Sequence, residues 1–167
     1  MKIQSIVYIV VLLGMISCGN AASNSSAEQR KNQSFDSARL ESERAAWESQ
    51  NMNQYRFTGR SYLSNKKTVP IMVTVLPDAE PELSCKDRWK DVGEKLISSG
   101  IPFSPFEGKT IDELYSSIKE VMESYSNKNY GTYIRYDQTY HYPAYLEIYS
   151  SVSLIYFLEM TEFEDLR

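Results

Sequence analysis

Few residues in this sequence are of the types that carry catalysis or bind metals. The chain of 167 residues has one histidine, His141, and two cysteines, Cys18 and Cys85, too few for a zinc cluster or a Cys/His dyad. Asp112 and Glu113 are adjacent carboxylates, but a place in the first turn of a helix explains them without catalysis. We therefore predict no catalytic residue, no metal site and no cofactor, while a hydrolase with carboxylates dispersed along the chain stays open.

Cys18 is the residue with the clearest chemical prediction. One positive charge, Lys2, precedes an apolar run from Ile6 to Ile16, which is too short to span a membrane and is typical of a secretory signal. The junction at Cys18 resembles the bacterial lipobox, with Met15 where leucine is usual. We predict that residues 1–17 are a lipoprotein signal peptide and that Cys18 carries acyl chains; the alternative is an ordinary signal with a chance cysteine.

The rest of the chain divides into a tether and one domain. Residues 18–34 are rich in Ser, Asn and Ala and favour a flexible tether, whereas residues 35–167 suit a single domain. Loss of the signal removes Lys2 and lowers the formal net charge from −4 to −5, which argues against nucleic-acid partners. Cys85 would then be the last thiol, either buried or available for intermolecular pairing.

Hydrophobic spacing predicts the elements of that domain. A fold of the α+β class is expected, with an antiparallel sheet of four to five strands packed on one face by an N-terminal helix and a central helix. The predicted order is helix-strand-strand-helix-strand-strand-strand, with helices at Phe35–Asn53 and Thr110–Tyr125 and strands at Tyr55–Leu63, Thr68–Leu76, within the hairpin Thr132–Ser151, and at Val152–Phe163. A further helix over Lys86–Ser98 is possible. The hairpin is expected to be the element on which the domain is built.

Tyrosine is concentrated around this hairpin. Nine of the thirteen tyrosines lie between Tyr125 and Tyr156. One interpretation is β-propensity combined with a ring that tolerates half burial; the other is a recognition face, because tyrosine is enriched at interfaces. If it is a recognition face, the candidate binding residues are Tyr140, Tyr142, Tyr145 and Tyr149. Strand alternation places Tyr145 and Tyr149 opposite Leu146 and Ile148, and thus away from an aliphatic core.

Several short motifs lie along the predicted domain. They are Trp47 near a helix end, Tyr55-Arg56-Phe57, Thr110-Ile111-Asp112-Glu113-Leu114, and the Tyr-Asp-x-x-Tyr-x-Tyr-Pro hairpin at Tyr136–Pro143. These motifs are similar to those of a family of small bacterial lipoproteins, the domain of unknown function family 6174. The resemblance covers about residues 39–163, and Gln138 and His141 stand where members commonly have Pro and Gly. It implies the fold and an envelope location but no activity.

These observations favour a protein that binds rather than catalyses. We expect a non-enzymatic lipoprotein of the bacterial cell envelope, anchored by lipid to a membrane facing the periplasm or cell exterior, with a protein, peptide or envelope glycan as partner. The alternatives are a structural envelope protein and a carboxylate-based envelope hydrolase. A solvent-facing cluster of three or more tyrosines favours binding, and buried rings favour a structural role.

Overall fold

The computed structural model describes residues 35–63, 66, 67, 69–86, 90, 95, 97, 105–125, 130–150 and 153–167. The predicted signal peptide, Cys18 and the tether lie outside these residues, as does most of the possible helix at Lys86–Ser98. Within the described ranges, no helix is long and apolar enough to cross a membrane.

The described residues form an α+β domain, as predicted. Two helices, α1 (Ser37–Ser49) and α2 (Ile111–Tyr125), accompany an antiparallel sheet. Six strands lie side by side in the order β4-β3-β1-β7-β6-β5, and the short β2 pairs with β1. The strands are β1 (Tyr55–Leu63), β2 (Lys66–Lys67), β3 (Ile71–Val75), β4 (Glu82–Cys85), β5 (Gly131–Tyr136), β6 (Pro143–Tyr149) and β7 (Leu154–Asp165).

The prediction of four to five strands was wrong because β2 and β4 were missed. Pro77, Asp78 and Pro81 are typical of the end of a strand, but here they form the turn of a hairpin between β3 and β4. Asp78 adopts a φ of 57°, and the chain returns along β3 with Glu82 opposite Thr74. Turn residues alone do not show whether the chain leaves the sheet or folds back on it. Cys85, in β4, is half-buried.

The centre of the sheet is β7, not the β5–β6 hairpin. This 12-residue strand pairs with β1 on one side and β6 on the other. The hairpin occupies one end of the sheet, and among the described strands β5 pairs with β6 alone. Strand β7 therefore joins the β1–β3 pair to the β5–β6 hairpin. The prediction that the domain is built on the β5–β6 hairpin is corrected.

The helices cover the sheet face that carries Leu146 and Ile148. Both side chains are fully buried, as is Ile118 of α2, in agreement with the helical spacing. The same helical spacing predicts that Val121 is buried, but Val121 is only half-buried, since Met122 takes the inward position in that turn. Burial of large aliphatic side chains on one face is the main source of the stability of such a layer.

Two side-chain contacts fix the helices on the sheet. Trp47 of α1 lies edge-on to the ring of Tyr55 at 5.2 Å and donates its indole N–H to Asp112 at 3.1 Å. The hydroxyl of Tyr55 accepts the backbone N–H of Ile111 at 3.2 Å, and burial raises the pKa of this phenol to about 12. Asp112 thus links the end of α1 to the start of α2 through this hydrogen bond.

The predicted capping box at the start of α2 is confirmed. Glu113 accepts the backbone N–H of Thr110 at 2.7 Å, and the hydroxyl of Thr110 accepts the N–H of Glu113 at 3.3 Å. Each side chain satisfies a donor that the first turn leaves without an intrahelical partner. At α1, Asp36 has the same role, since it accepts the N–H of Arg39 at 2.9 Å.

Candidate functional site

The sheet face opposite the helices contains a carboxylate held by two tyrosines. Tyr145, Glu147 and Tyr149 alternate along β6, so all three point away from Leu146 and Ile148. The hydroxyls of Tyr145 and Tyr149 each donate to one oxygen of the Glu147 carboxylate. Glu147 is only 8 % exposed. Two donors of this kind compensate the desolvation of the buried carboxylate.

Further rings surround this carboxylate. Tyr133 of β5 and Phe157 of β7 lie edge-on to Tyr145, with ring centroids at 6.0 and 5.3 Å. In the strand register Tyr133 and Phe157 are the two residues opposite Glu147. We call Tyr133, Tyr145 and Tyr149, together with Glu147, the tyrosine cluster. Its three tyrosines are half-buried, which is intermediate between a solvent-facing cluster and buried rings.

The other two candidate tyrosines lie elsewhere. Tyr142 is 8 % exposed and stacks on Phe163 with centroids 4.7 Å apart; burial raises the pKa of its phenol to about 12. Tyr140 is half-buried and contacts the same Phe163 ring at 4.8 Å. Tyr142 is thus part of the core and offers little surface to a partner. The four predicted residues do not form one site.

A pocket that the sequence did not suggest lies at the free end of the sheet. This edge pocket has a volume of about 380 Å³. Arg39 and Glu43 of α1 form one wall, residues 133–136 of β5 form the other, and the loop after β5 closes it with Asp137, Gln138 and His141. Consecutive residues of a strand point to opposite faces, so a pocket lined by four of them lies along the strand's edge.

The polar side chains of α1 contact the loop across the edge pocket. Nδ1 of His141 lies 2.8 Å from a carboxylate oxygen of Glu43. The other oxygen of that carboxylate is 3.6 Å from Nε of Arg39, whose guanidinium lies 5.3 Å from the centre of the Tyr136 ring. Burial raises the pKa of Tyr136 above its ordinary value. These contacts hold the wall of α1 against the loop.

The loop itself is shaped by Asp137 and His141. Asp137 accepts the backbone N–H groups of Thr139 and Tyr140 at 2.9 and 2.7 Å, as in an Asx turn. His141 adopts a φ of 64°, a conformation that glycine favours and that His tolerates better than branched residues. Its carbonyl accepts the hydroxyl of Tyr115 from α2. A glycine, common here in the resembling family, would suit the same backbone.

Two residues belong to both the tyrosine cluster region and the edge pocket. Tyr133 lines the pocket and contacts Tyr145. Arg135 also lines the pocket, and its guanidinium lies 5.4 Å from the centre of the Tyr145 ring. The cluster and the pocket therefore form one continuous surface that passes around the edge of β5.

The charges of this surface are unevenly satisfied. Glu43 and Asp137 accept contacts from the protein's own donors. The Arg39 side chain is 55 % exposed although its Nε lies 3.6 Å from Glu43, and Arg135 is exposed with no ion pair to any carboxylate in the described part of the chain. The guanidinium groups are thus the charges most accessible to a ligand.

Sequence reasoning missed this pocket because its walls are far apart in the chain. In the sequence His141 is the one histidine, and Glu43 is one of several charged residues of the first predicted helix. The two are 98 residues apart, and only the position of α1 on the sheet brings them together. A weak signal existed, since Arg39 and Glu43 have the i, i+4 spacing of a helical pair.

Among the described residues that line the edge pocket there is no Ser, Thr or Cys. Across the residues that the structure describes, no group of three or more His, Cys, Asp or Glu side chains could hold a metal ion. The arrangement can bind a ligand through three kinds of group: the faces of its aromatic rings, its two guanidinium groups and the main chain of the β5 edge.

No protein-family model, curated protein or solved structure matches the chain. The resemblance to the lipoprotein family of unknown function stays a prediction.

Proposed function

We propose that this chain is a lipid-anchored binding module of the bacterial cell envelope. Its binding surface consists of the tyrosine cluster and the edge pocket. The observation that carries the proposal is their junction, where Tyr133 and Arg135 take part in both. A ligand that crosses the edge of β5 would contact rings, guanidinium groups and main chain together.

The fixed hydroxyls support a binding role for the tyrosines. Tyr145 and Tyr149 both donate to Glu147, which restricts the rotation of their rings before any partner arrives. Ordering side chains on binding costs free energy, and a preorganised ring avoids that cost. Tyrosine also offers a large contact area with few rotatable bonds.

The carboxylates of the edge pocket favour binding over hydrolysis. Glycoside hydrolysis requires one carboxylate to donate a proton and a second to attack or activate water. Asp137 already accepts two backbone N–H groups, and Glu43 is held between His141 and Arg39. Both carboxylates therefore already have partners within the protein, which supports a binding role over hydrolysis.

The anchor is proposed from the sequence alone. The apolar run that ends at Cys18 supports export followed by acylation of the cysteine thiol. Several acyl chains hold a protein stably on a membrane, whereas one chain gives marginal binding. Replacement Cys18→Ser should abolish labelling by fatty acid and release the exported protein from membranes. Continued labelling of the Cys18→Ser protein would exclude this anchor.

The binding role is tested by crosslinking and pull-down from intact envelopes with two matched variants. Both carry Glu147→Gln, so that no charged carboxylate is left without donors. In one variant Tyr145 and Tyr149 become Phe, which keeps the rings; in the other they become Ser, which removes them. We expect the Phe variant, which keeps the rings but not the hydroxyls that hold them, to retain part of the binding and the Ser variant to lose it, with both folded by circular dichroism.

Two other results would separate the alternatives. If the wild-type protein captures no partner under crosslinking, a structural envelope role is favoured over binding. If both variants capture the same partner equally well, the rings of Tyr145 and Tyr149 are not part of the contact, and the binding surface lies elsewhere.

A further inference from the structure

We propose that the edge pocket binds an acidic peptide segment in an extended conformation, which adds to the sheet as a strand beside β5. This inference rests on the proposed binding function and names the chemistry of its partner. The partner is identified by two properties, a main chain able to pair with a strand edge and neighbouring acidic side chains.

The main chain of β5 is the first support. β5 pairs with β6 from Gly131 to Tyr136, and no other described strand lies on its second side. The edge pocket occupies that side along residues 133–136. A strand edge presents N–H and C=O groups at regular intervals, and an extended peptide can pair with them.

The shape of the pocket is the second support. Its volume of about 380 Å³ is within the range of ligand sites. Helix α1 forms a wall opposite β5, and the loop closes one end, where Asp137 donates its N–H to the carbonyl of Tyr142 at 2.9 Å. A peptide would therefore enter from the open end and lie between a helix and a strand edge.

The two arginines are the third support, because they lie on different sides of the strand. Arg135 points to the face of Tyr145, whereas Arg39 comes from α1 on the opposite face and lies over Tyr136. Successive side chains of an extended peptide also point to opposite faces. Two adjacent acidic residues could thus reach Arg135 and Arg39 respectively.

The pocket's own carboxylates do not oppose this arrangement strongly. Glu43 has a side chain only 20 % exposed and lies against His141, and the Oδ1 atom of Asp137 faces two backbone N–H groups. Both are directed to donors within the protein. The exposed guanidinium groups therefore define the charge that a ligand would meet, and charge-assisted contacts with carboxylates are the strong ones.

The test measures binding of labelled synthetic peptides to the full chain in detergent. The probe has two adjacent Glu residues flanked by Val and Thr, and a matched peptide has Gln in place of both Glu residues. Two further probes keep the Glu pair but carry N-methyl groups on alternate residues, one on the odd positions and one on the even positions. The N–H groups of an extended chain alternate between its edges, so only one of these two should face β5.

We expect the Glu probe to bind at least tenfold more tightly than the Gln probe, and only one N-methylated probe to lose binding. The double variant Arg39→Gln/Arg135→Gln should weaken binding of the Glu probe by about tenfold or more. The control Arg56→Gln, in β1 and separated from β5 by β7 and β6, should leave the dissociation constant unchanged. Hydrogen exchange of the β5 amides should slow when the Glu probe is bound.

Several results would overturn the inference. These are no detectable binding of the Glu probe, equal loss or equal retention for the two N-methylated probes, or unchanged binding by the double arginine variant. Binding of acidic oligosaccharides in place of the peptide would also overturn it. In each of these cases an envelope partner that still depends on Tyr145 and Tyr149 would leave the proposed function intact, whereas loss of that dependence would remove both.

Discussion

The sheet face opposite α1 and α2 satisfies its charges in two different ways. Across β1 and β7, oppositely charged residues pair side by side, as Arg56 does with Glu164 and Arg60 with Glu159. At the β5–β6 end, two tyrosine hydroxyls hold Glu147, and no Lys or Arg among the described residues forms an ion pair with it. The first region, which we call the ion-pair ladder, has exposed side chains, whereas Glu147 in the second is nearly buried.

This difference indicates where the face has a fixed shape. Exposed ion pairs exchange easily with water and salt, so they keep the surface soluble but do little to hold particular side-chain positions. Breaking either hydrogen bond to a buried carboxylate has a large free-energy cost, because each lost contact leaves part of the charge unsatisfied. The tyrosine cluster is thus the more rigid region, which suits a docking surface. Mutations should separate the two regions by their effect on stability.

The sheet face covered by the helices should show the largest loss of stability on mutation, and it gives the upper limit against which the two regions are compared. Ile118 is fully buried, so Ile118→Ala should lower the free energy of unfolding by about 2–5 kcal/mol. Val121, on the same helix but half-buried, is the matched control, and Val121→Ala should cost clearly less. Urea denaturation followed by circular dichroism measures both. Equal losses at the two positions would mean that α2 is rotated relative to this structure.

The tyrosine cluster should give the next largest effect. Replacing both Tyr145 and Tyr149 by Phe keeps the rings but removes the two donors to Glu147, and should cost about 3 kcal/mol, since bonds to charged groups are worth about 1.5–3 kcal/mol each. Adding Glu147→Gln should recover part of this loss, because a neutral amide is less costly to leave buried. The urea midpoints of the double and triple variants are compared directly.

A small loss of stability in the tyrosine cluster variants would mean that the two regions do not differ in rigidity. If the double Phe variant loses less than about 0.5 kcal/mol, the value typical of exposed positions, then Glu147 is solvated in solution. The cluster would then be no more rigid than the ion-pair ladder, and the case for preorganised rings would fail.

Local sequence signals predicted the pieces of this structure well. Alternation along Ala144–Tyr149 identified the two faces of β6, and Thr110 with Glu113 marked the start of α2. Such signals depend on neighbours within a few residues. They could not show that Tyr145 and Tyr149 converge on Glu147, although the i−2 and i+2 spacing on one strand face was visible in the sequence.

The features that local signals missed depend on how distant elements pack together. Tyr142 was a candidate binding residue, but after the turn at His141 its ring stacks on Phe163 of β7. The edge pocket needs α1 beside the loop, and nothing local to Glu43 or His141 indicates that position. Sequence therefore predicted the tyrosine-rich region of the candidate site but not the pocket that adjoins it.

Substitutions at His141 test whether the loop has the backbone conformation that shapes the edge pocket. With φ at 64°, a residue with a Cβ is strained, by about 1–2 kcal/mol in this region. Both His141→Ala and His141→Gly remove the contact with Glu43, so they differ mainly in backbone freedom. We expect the Gly variant to be about 1 kcal/mol more stable than the Ala variant. Equal urea midpoints for the pair would mean that the loop adopts a negative φ in solution.

The smallest effect is expected in the ion-pair ladder, at Arg56 and Glu164. Their side chains are 41 % and 54 % exposed, and exposed pairs contribute about 0.2–1 kcal/mol in double-mutant cycles. We expect the cycle of Arg56→Ala, Glu164→Ala and the double variant to give a coupling energy in that range, which should decrease further in 1 M salt because screening weakens exposed pairs. A coupling of 2 kcal/mol or more, unaffected by salt, would contradict this. The ladder would then be held as firmly as the tyrosine cluster, and rigidity could no longer explain why a partner should dock at the β5–β6 end.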